Sequence, residues 1–278
     1  MEKLLIIDGH NLLFRMFYGI PAPIRNSKGQ DIRAVVGFVG GMIKMMNMDD
    51  YSKLFVVFDS ESSTQSRIEE SADYKATRID YSQIAAEDNP FTQLPYVYKA
   101  LEAMEIEHIE VQNFEADDYI ASLVSKYKED NHITIASTDR DFLQLVDDNV
   151  KVFSPRGKLS IMFDYEKVKE KYSIEPKQII DYKALIGDKS DNIAGIRGVG
   201  PKTAVKILDQ ATLREILSGK VVIEDKLMNK LIENQSCLEK NIRLITMISN
   251  IELEDRDLFF SFDSDVKAFD IINYCGLN

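Results

Sequence analysis

The sequence of 278 residues predicts an α/β protein with a mainly parallel central sheet flanked by helices, followed by an α-helical C-terminal region. The first observation is that short apolar runs alternate with helical patterns up to about residue 163. The second is that the pattern is helical almost throughout from Asp164 onward. We therefore expect two regions, residues 1–168 and 169–278, with their boundary near residues 164 to 175.

Each element is predicted from its own stretch of sequence. The runs that predict strands are KLLIID (3–8), KLFVVFD (53–59), IEHIEV (106–111), HITIAS (132–137) and VKVFS (150–154). The helices expected between them are AVVGFVGGMIKMMNM (34–48), FTQLPYVYKALEAM (91–104) and EADDYIASLVSKY (115–127), where apolar residues recur at three and four. In the C-terminal region YEKVKEKY, PKQIIDYKALIG, KTAVKIL and CLEKNIRLITMI read as helices. Strands alternating with helices in this way indicate a parallel sheet that is covered on both faces.

Hydropathy, residue composition and net charge argue against several classes of protein. The apolar run Leu4 to Ile7 is too short for a signal peptide or a membrane span, so we expect a cytoplasmic monomer that does not contact membranes. The 2 cysteines and 3 histidines are scattered, which argues against a disulfide framework and a zinc site. The formal charge of −12 argues against indiscriminate binding of polyanions. Met1 and the end INYCGLN are compatible with a free-standing protein, and a domain excised from a polymerase is the alternative.

Acidic side chains follow the predicted strands at the edge where parallel sheets bind ligands. The candidate metal ligands are Asp8, Asp59, Glu115, Asp117, Asp118, Asp139, Asp141, Asp188 and Asp191. Taken singly, each has a structural explanation, since acids favour a first helical turn and aspartate often caps the turn after a strand. Taken together, so many like charges at one edge would repel one another unless cations enter.

Two Mg²⁺ or Mn²⁺ ions are the cofactors that such a cluster predicts, because hard divalent cations prefer oxygen ligands. Two ions about 3.5 to 4 Å apart can activate water and stabilise the entering and leaving oxygens in phosphodiester hydrolysis. Carboxylates beyond those that bind the ions directly would hold metal-bound water. This is the chemistry of a nuclease.

A polar insertion of 31 residues, 60 to 90, fits neither the strand nor the helix pattern of its surroundings. Arg67, Tyr74, Lys75 and Arg78 would line one side of a helix there, because they are seven, four and three residues apart. The functional interpretation is a helical arch at about 60–92, in which Lys75 and Arg78 neutralise the scissile phosphate and Tyr74 stacks on a base. A solvated, charged surface helix is the alternative.

The stretch GDKSDNIAGIRGVGPKTA, residues 187 to 204, combines two aspartates with a turn rich in glycine. We expect Gly195, Gly198 and Gly200 to let the backbone turn tightly, and Lys202 and Thr203 to begin the next helix. Backbone amides at such a turn and helix start can bind a phosphate without reading sequence.

The sequence resembles the structure-specific 5′ nucleases, which include the amino-terminal domain of bacterial DNA polymerase I, phage 5′ exonucleases and flap endonucleases. The motifs that carry the resemblance are IDGHNLLFR (7–15), AVVGF (34–38), VVFD (56–59), YKATR (74–78), EADD (115–118), STDRDFLQL (137–145) and the stretch 187–204. The resemblance implies a PIN-like sheet domain, an arch over a two-metal site, and a helix-three-turn-helix at about 185–210. It further implies that this motif binds duplex DNA and holds K⁺, and that cleavage leaves a 5′-phosphate and a 3′-hydroxyl.

We therefore expect a 5′-3′ exonuclease and 5′-flap endonuclease that acts on DNA with 5′ ends, 5′ flaps or branched junctions. The expected DNA-binding residues are Arg33, Arg67, Gly198, Gly200, Lys202 and Thr203, although a helix-start arginine is a structural alternative for Arg33. A non-catalytic module that binds branched DNA and a PIN-type ribonuclease are the other two candidate functions.

Overall fold

The structure of the chain is a computed structural model, and it describes residues 1–60, 67, 71, 74–76, 79–209, 211–256, 258–260 and 266–277. It confirms the predicted fold class, because a mainly parallel sheet is flanked by helices and a helical region follows.

Six strands form the central sheet in the described part of the chain. They are β1 (Glu2–Asp8), β2 (Lys53–Asp59), β3 (His108–Val111), β4 (Asn131–Ala136), β5 (Val150–Ser154) and β6 (Ile161–Phe163). Their order is β3-β2-β1-β4-β5-β6, and every neighbouring pair is parallel except β5 and β6. The strand order reverses between β1 and β4, so the loops after these strands leave a crevice of the kind where α/β sheets bind ligands. The sequence did not predict β6, because three residues are too few to show a periodicity.

In the described part of the sheet domain, the helices with defined bounds are α1 (Gly9–Gly19), α2 (Arg33–Met46), α3 (Leu94–Ala103) and α4 (Ala116–Tyr127). The C-terminal region contains α5 (Tyr165–Tyr172), α6 (Ile179–Ile186), α7 (Pro201–Leu208), α8 (Leu213–Leu217), α9 (Asp225–Glu233), α10 (Gln235–Ile245) and α11 (Ala268–Tyr274). A two-stranded hairpin, β7 (Gly187–Asp188) and β8 (Ile193–Ala194), separates α6 from α7. Among the described residues no helix combines the length and apolar character needed to cross a bilayer.

The core lies on both faces of the sheet. In β1, Leu4 and Ile6 pack into one cluster with α4 and the C-terminal helical region, whereas Leu5 and Ile7 pack into another with α1, α2 and α3. This explains why the strand is apolar without alternation. Burying each such side chain stabilises the fold by about 1.5–3 kcal/mol.

The C-terminal segment returns to the sheet domain. Helix α11 packs against α2 and α3, and Ile272 is fully buried there. Upstream of α11, the Leu54 amide of β2 donates a hydrogen bond of 2.9 Å to the Leu258 carbonyl. The predicted region 169–278 thus ends in a helix that is attached to the first region.

Candidate metal centre and nucleic-acid interface

Four aspartates meet at the crevice, and we call them the first carboxylate group: Asp8, Asp59, Asp117 and Asp139. Asp8 and Asp59 end β1 and β2, Asp139 follows β4, and Asp117 lies in the first turn of α4. The pKa of Asp8 is raised from 3.8 to about 7, mainly by burial and also by the charges of Asp59 and Asp139, against the lowering effect of two hydrogen bonds. Burial and the charges of Asp139, Asp8 and Asp59 also hold the pKa of Asp117 well above its usual range. The four carboxylates are therefore close enough to repel one another.

Ser137 links the ends of β1 and β4. Its hydroxyl donates to Asp8 Oδ2 at 2.8 Å and accepts from the Asp139 amide at 3.0 Å. The other oxygen of Asp8 accepts from the Asn11 amide at 3.1 Å and so caps α1. Side chain and backbone donors thus fix Asp8 and Asp139 before any ligand arrives.

The pKa of Asp59 is lowered, in contrast to the raised pKa values of Asp8 and Asp117. Its Oδ1 accepts from the Ala116 amide at 2.8 Å, and its Oδ2 lies 3.6 Å from His10 Nδ1. Burial would raise the pKa of Asp59, but the hydrogen bonds from His10 and Ala116 and the charges of His10 and Lys75 outweigh it, so the pKa is lowered. Asp59 therefore remains ionised while Asp8 and Asp117 favour protonation.

Three further aspartates form the second carboxylate group: Asp141, Asp188 and Asp191. One carboxylate oxygen from each lies within 4.8 Å of the others. Asp141 opens the 3₁₀ segment Asp141–Leu145, and the other two belong to the β7–β8 hairpin. The ammonium of Lys183, on α6, forms ion pairs with both Asp141 and Asp188. The positive charge of Lys183 thus lies between two of the three carboxylates.

Asp188 stays ionised in this arrangement. Burial would raise its pKa, but hydrogen bonds from Lys183 and from Ser190, together with the charge of Lys183, lower it. The Ser190 amide donates to Asp188 Oδ1 at 2.7 Å, which fixes the carboxylate within the hairpin turn.

Glu115 and Asp118 face the polar insertion. Arg67 donates two hydrogen bonds to Asp118, at 2.6 and 2.9 Å, and also pairs with Glu115. Glu115 additionally accepts from Lys75 Nζ at 2.7 Å and from the Tyr74 hydroxyl at 3.3 Å. These two acids are therefore neutralised by cations of the chain.

The insertion is anchored over the centre at Lys75. Its backbone has a φ of 53°, in the left-handed region, and its amide donates to the Asp191 carbonyl at 3.1 Å. Tyr74 is 4% exposed, so it would have to leave its present position to stack on a base. Arg78 lies outside the described residues, as does much of the predicted arch.

The turn after β8 depends on two glycines. A Cβ at Gly195 would lie 2.1 Å from the Ile186 carbonyl carbon, so the hairpin and α6 can approach only without a side chain there. Gly198 has a φ of 78°, which glycine adopts at little cost. Gly200 differs from the expectation: its backbone is extended and nothing lies near its Cβ position, so the turn does not need glycine there. Lys202 is exposed at the start of α7, next to Thr203.

Arg33 opens α2 and has intramolecular partners. Its Nε lies 2.9 Å from Asp31 Oδ2, and its guanidinium lies 4.4 Å from the centroid of the Phe17 ring. These contacts support the structural alternative for this residue.

Sequence reasoning missed Lys183 and Ser137. Lys183 is an ordinary lysine in a helical stretch, and only the fold of the hairpin brings Asp188 back to it. Ser137 is the last residue of the predicted strand 132–137, and a serine at the end of a strand has no distinctive spacing that would mark it as functional. Both act through contacts between distant segments.

The donor set fits hard divalent cations. Asp141, Asp188 and Asp191 offer carboxylate oxygens close enough together to hold one ion, and the carboxylates of the first group lie close enough to act on one another's pKa. The raised pKa values of Asp8 and Asp117 reflect burial first and then the negative charge of neighbouring carboxylates.

Family models match almost the whole chain. Residues 3–173 match the 5′-3′ exonuclease N-terminal resolvase-like domain, and residues 174–262 match the 5′-3′ exonuclease C-terminal SAM fold. A 5′-3′ exonuclease of Aquifex aeolicus is 35% identical, over 93% of this chain and 86% of that protein. DNA polymerase I of Caldicellulosiruptor bescii is 36% identical over 91% of this chain, but the match spans only 30% of that longer protein.

Two solved structures show the same fold. Bacteriophage T5 5′-exonuclease with bound zinc has a TM-score of 0.74 at 24% identity, covering 89% of this chain and 90% of that one. The T5 D15 flap endonuclease, in a pseudo-enzyme-product complex with DNA and metal ions, has a TM-score of 0.72 at 23% identity, covering 88% and 89%. Together with the two matched models and the carboxylates at the crevice, these findings show that the chain belongs to the 5′-3′ exonuclease family.

Proposed function

We propose that the chain is a divalent-metal-dependent 5′-3′ exonuclease and 5′-flap endonuclease, which hydrolyses DNA phosphodiesters during replication or repair. It would leave 5′-phosphate and 3′-hydroxyl ends and act as a monomer in the cytoplasm. The observation that carries the proposal is the pair of carboxylate groups side by side at the crevice of a chain of this family.

The two carboxylate groups would each hold one Mg²⁺ or Mn²⁺ ion. Such ions, when bound, activate water as the nucleophile and stabilise the entering and leaving oxygens. Two of these carboxylates are oriented in advance: Ser137 and the Asn11 amide donate to Asp8, and Ser190 donates to Asp188. Glu115 and Asp118 would join the set once the side chains that now neutralise them turn to the substrate.

The cations of the insertion would then move from carboxylate to phosphate. Lys75 would neutralise the scissile phosphate together with Arg78, and Arg67 would contact the DNA backbone. Lys75 and Arg67 now form ion pairs with Glu115. Divalent metal ions bound next to Glu115 would compensate its charge and so release both side chains. Tyr74 would stack on a base after leaving Glu115.

Duplex DNA would bind at the start of α7. Free amides at a helix start attract phosphate, and Gly198, Gly200, Lys202 and Thr203 lie at or just before this helix. Carbonyl groups of the same turn would hold K⁺. The β7–β8 hairpin connects this turn directly to Asp188 and Asp191.

The test uses a labelled duplex with a 5′ flap, in the presence of Mg²⁺. We expect Asp188→Asn to reduce cleavage by about 10²-fold or more, because removing a charge-stabilising group at a reacting centre costs on this order. Asp148→Asn, the same change at an exposed residue, is the matched control and should cleave normally.

The same assay separates the candidate functions. Equal cleavage by Asp188→Asn and the wild type would refute the catalytic proposal. A wild type that binds the flap without cutting it in Mg²⁺ or Mn²⁺ would indicate a non-catalytic DNA-binding module. Cleavage of single-stranded RNA in preference to the flap would indicate a PIN-type ribonuclease.

A further inference from the structure

A cavity of about 520 Å³ opens beside the metal centre, on the side of β4, β5 and α6. We call it the basic cavity. Its lining includes Thr138, Arg140, Arg156, Tyr172, Tyr182 and Lys183. Its volume lies within the range of roughly 300–1,000 Å³ that is usual for ligand pockets.

Four cations lie around this cavity in a chain of net charge −12. Arg140 and Arg156 line it, Lys171 lines an adjoining hollow together with both of them, and Arg15 is close enough for Arg156 to act on it. None of the four pairs with a carboxylate among the residues that the structure describes. In a chain in which acids outnumber basic side chains, four neighbouring cations without acidic partners form a positive surface that favours an anionic ligand.

The cations also repel one another. Burial together with the charges of Arg140 and Arg156 lowers the pKa of Lys171, and burial together with the charge of Arg156 lowers the pKa of Arg15. Like charges held this close destabilise the protein slightly in the absence of a ligand. An anion bound between them would relieve that repulsion.

One side of the cavity is lined by aromatic and apolar residues. Tyr172 and Tyr182 contact each other edge to face with ring centroids 6.3 Å apart, next to Ile179 and Ile186. The buried hydroxyl of Tyr172 has no hydrogen-bond partner. A ligand with an anionic part, a flat ring and polar edges would match both the cations and this unpaired hydroxyl.

We propose that the basic cavity binds a nucleoside monophosphate unit, with its phosphate at Arg140 and Arg156 and its base at Tyr172 and Tyr182. The inference rests on the proposed function, since it adds a nucleotide site to a DNA-cleaving centre. Asp139 and Asp188 also line the cavity, so the bound unit would lie next to the reacting phosphodiester. That unit can be either the 5′-terminal nucleotide of the cut strand or an internal nucleotide of the duplex.

The direct test is calorimetric titration of the protein with dAMP in the presence of Mg²⁺. The Mg²⁺ would neutralise Asp139 and Asp188, which line the cavity. The ligand stays intact during the titration, because dAMP contains no phosphodiester bond. We expect the double variant Arg140→Ala/Arg156→Ala to bind dAMP about 10- to 100-fold more weakly, because it loses two charged donors. Deoxyadenosine, which lacks the phosphate, should bind weakly to both proteins. Arg214→Ala, at an exposed arginine on α8, is the control and should bind dAMP like the wild type.

A second arm identifies the source of the nucleotide. Binding of nicked duplexes with and without a 5′-phosphate is measured in the presence of Ca²⁺. Both the parent protein and the double variant carry Asp188→Asn in this arm, so that neither cleaves the duplex. If the double variant loses only the preference for the phosphorylated end, the cavity holds the terminal nucleotide. If it weakens both duplexes equally, the cavity holds an internal nucleotide.

The proposal is overturned if dAMP fails to bind the wild type, or if the double variant binds dAMP as tightly as the wild type does. An unchanged thermal midpoint of the double variant shows that the chain is still folded. Failure of the proposed function is a separate result, because it appears as a wild type that binds dAMP but leaves the 5′ flap intact.

Discussion

Lys183 compensates the charge of two carboxylates that belong to different segments. Its ammonium pairs with Asp141, which follows β4, and with Asp188, on the hairpin. All three side chains are largely buried, so solvent screens these pairs only weakly. An ion that enters the second carboxylate group therefore competes with this lysine.

Replacing this lysine should lower stability and strengthen the response to metal. We expect Lys183→Met to lose about 1–3 kcal/mol without divalent ions, because Asp141 and Asp188 then face each other uncompensated. The rise in thermal midpoint on adding Mg²⁺ should exceed that of the wild type, since the ion no longer displaces an ammonium. Thermal unfolding with EDTA or Mg²⁺ measures both effects.

The control for this change is Lys177→Met, which removes a lysine whose pair with Glu175 is exposed. It should leave both midpoints near those of the wild type. A Mg²⁺ response of Lys183→Met no larger than that of the wild type would show that the lysine and the ion do not compete.

The pKa of Asp8 predicts how the metal-free protein responds to pH. The folded state holds a proton with a pKa of about 7, whereas the unfolded chain releases it near 3.8. Folding therefore takes up a proton in this window, so the free energy of unfolding should fall as pH rises from about 4 to about 7. Asp117 acts in the same direction. The lowered pKa values of Asp59 and Asp188 act only at more acidic pH.

Thermal midpoints in EDTA at pH 5 and pH 8 test this expectation, and the midpoint at pH 8 should be lower. Asp8→Asn should reduce the difference, because the amide cannot ionise and can still accept from the Asn11 amide. Midpoints of the wild type that rise from pH 5 to pH 8 would contradict the prediction.

At the scale of elements, the β7–β8 hairpin positions the second carboxylate group. It joins α6, which carries Lys183, to the turn before α7, and the Asn241 side chain donates to the carbonyls of Ala184 and Ala194 at 3.0 and 2.9 Å. One buried amide thus holds the helix and the hairpin together. The close approach of Gly195 to Ile186 completes the arrangement.

Gly195→Ala should destabilise this connection. The added methyl group would meet backbone atoms that cannot turn aside, and overpacking of this kind costs roughly 1–3 kcal/mol. We also expect a weaker stabilisation by Mg²⁺, because Asp188 and Asp191 lose their positions. Chemical denaturation with and without Mg²⁺ measures both quantities.

Gly200→Ala provides the comparison, since its Cβ would meet nothing within 4 Å. Its stability should match or slightly exceed that of the wild type. Equal stability of the Gly195 and Gly200 variants would mean that the hairpin tolerates a side chain at the contact.

Periodicity predicted the main strands and several of the helices, but it did not predict α1 (Gly9–Gly19), although this helix is a local stretch of sequence. The long strands β1 and β2 were predicted from their apolar runs. The position of the acids that end them was also predicted, because parallel strands bring their carboxyl ends to one edge of the sheet regardless of how the loops fold. Strand β6 and the return of α11 were not predicted, because both depend on pairing and packing with distant segments. The same holds for Lys183, whose two partners meet it only in the folded hairpin.

At the scale of the whole molecule, the C-terminal segment packs against the sheet domain, so we expect the two regions to unfold as one cooperative unit. Ile272, Cys275 and Leu277 are buried in the cluster that also contains Leu54 and Val56 of β2. The Lys99 ammonium on α3 donates to the Cys275 carbonyl at 2.6 Å. Unfolding of the end of the chain should therefore expose part of the sheet domain.

Ile272→Ala tests this coupling. Removing a fully buried isoleucine should cost about 2–5 kcal/mol. We expect a single unfolding transition at a lower midpoint, because the residue belongs to the core of the sheet domain. Scanning calorimetry measures the number of transitions. Phe269→Ala, on the same helix but 55% exposed, should change the midpoint little. Two separated transitions in Ile272→Ala would show that the segment unfolds on its own.

The carboxylates of the centre enter the chain between Asp8 and Asp191. A nascent polypeptide still emerging from the ribosome therefore holds only a fraction of them, and we expect it not to assemble the complete centre until the hairpin has been synthesised. A protease cut between these two aspartates would likewise divide the ligand set between fragments.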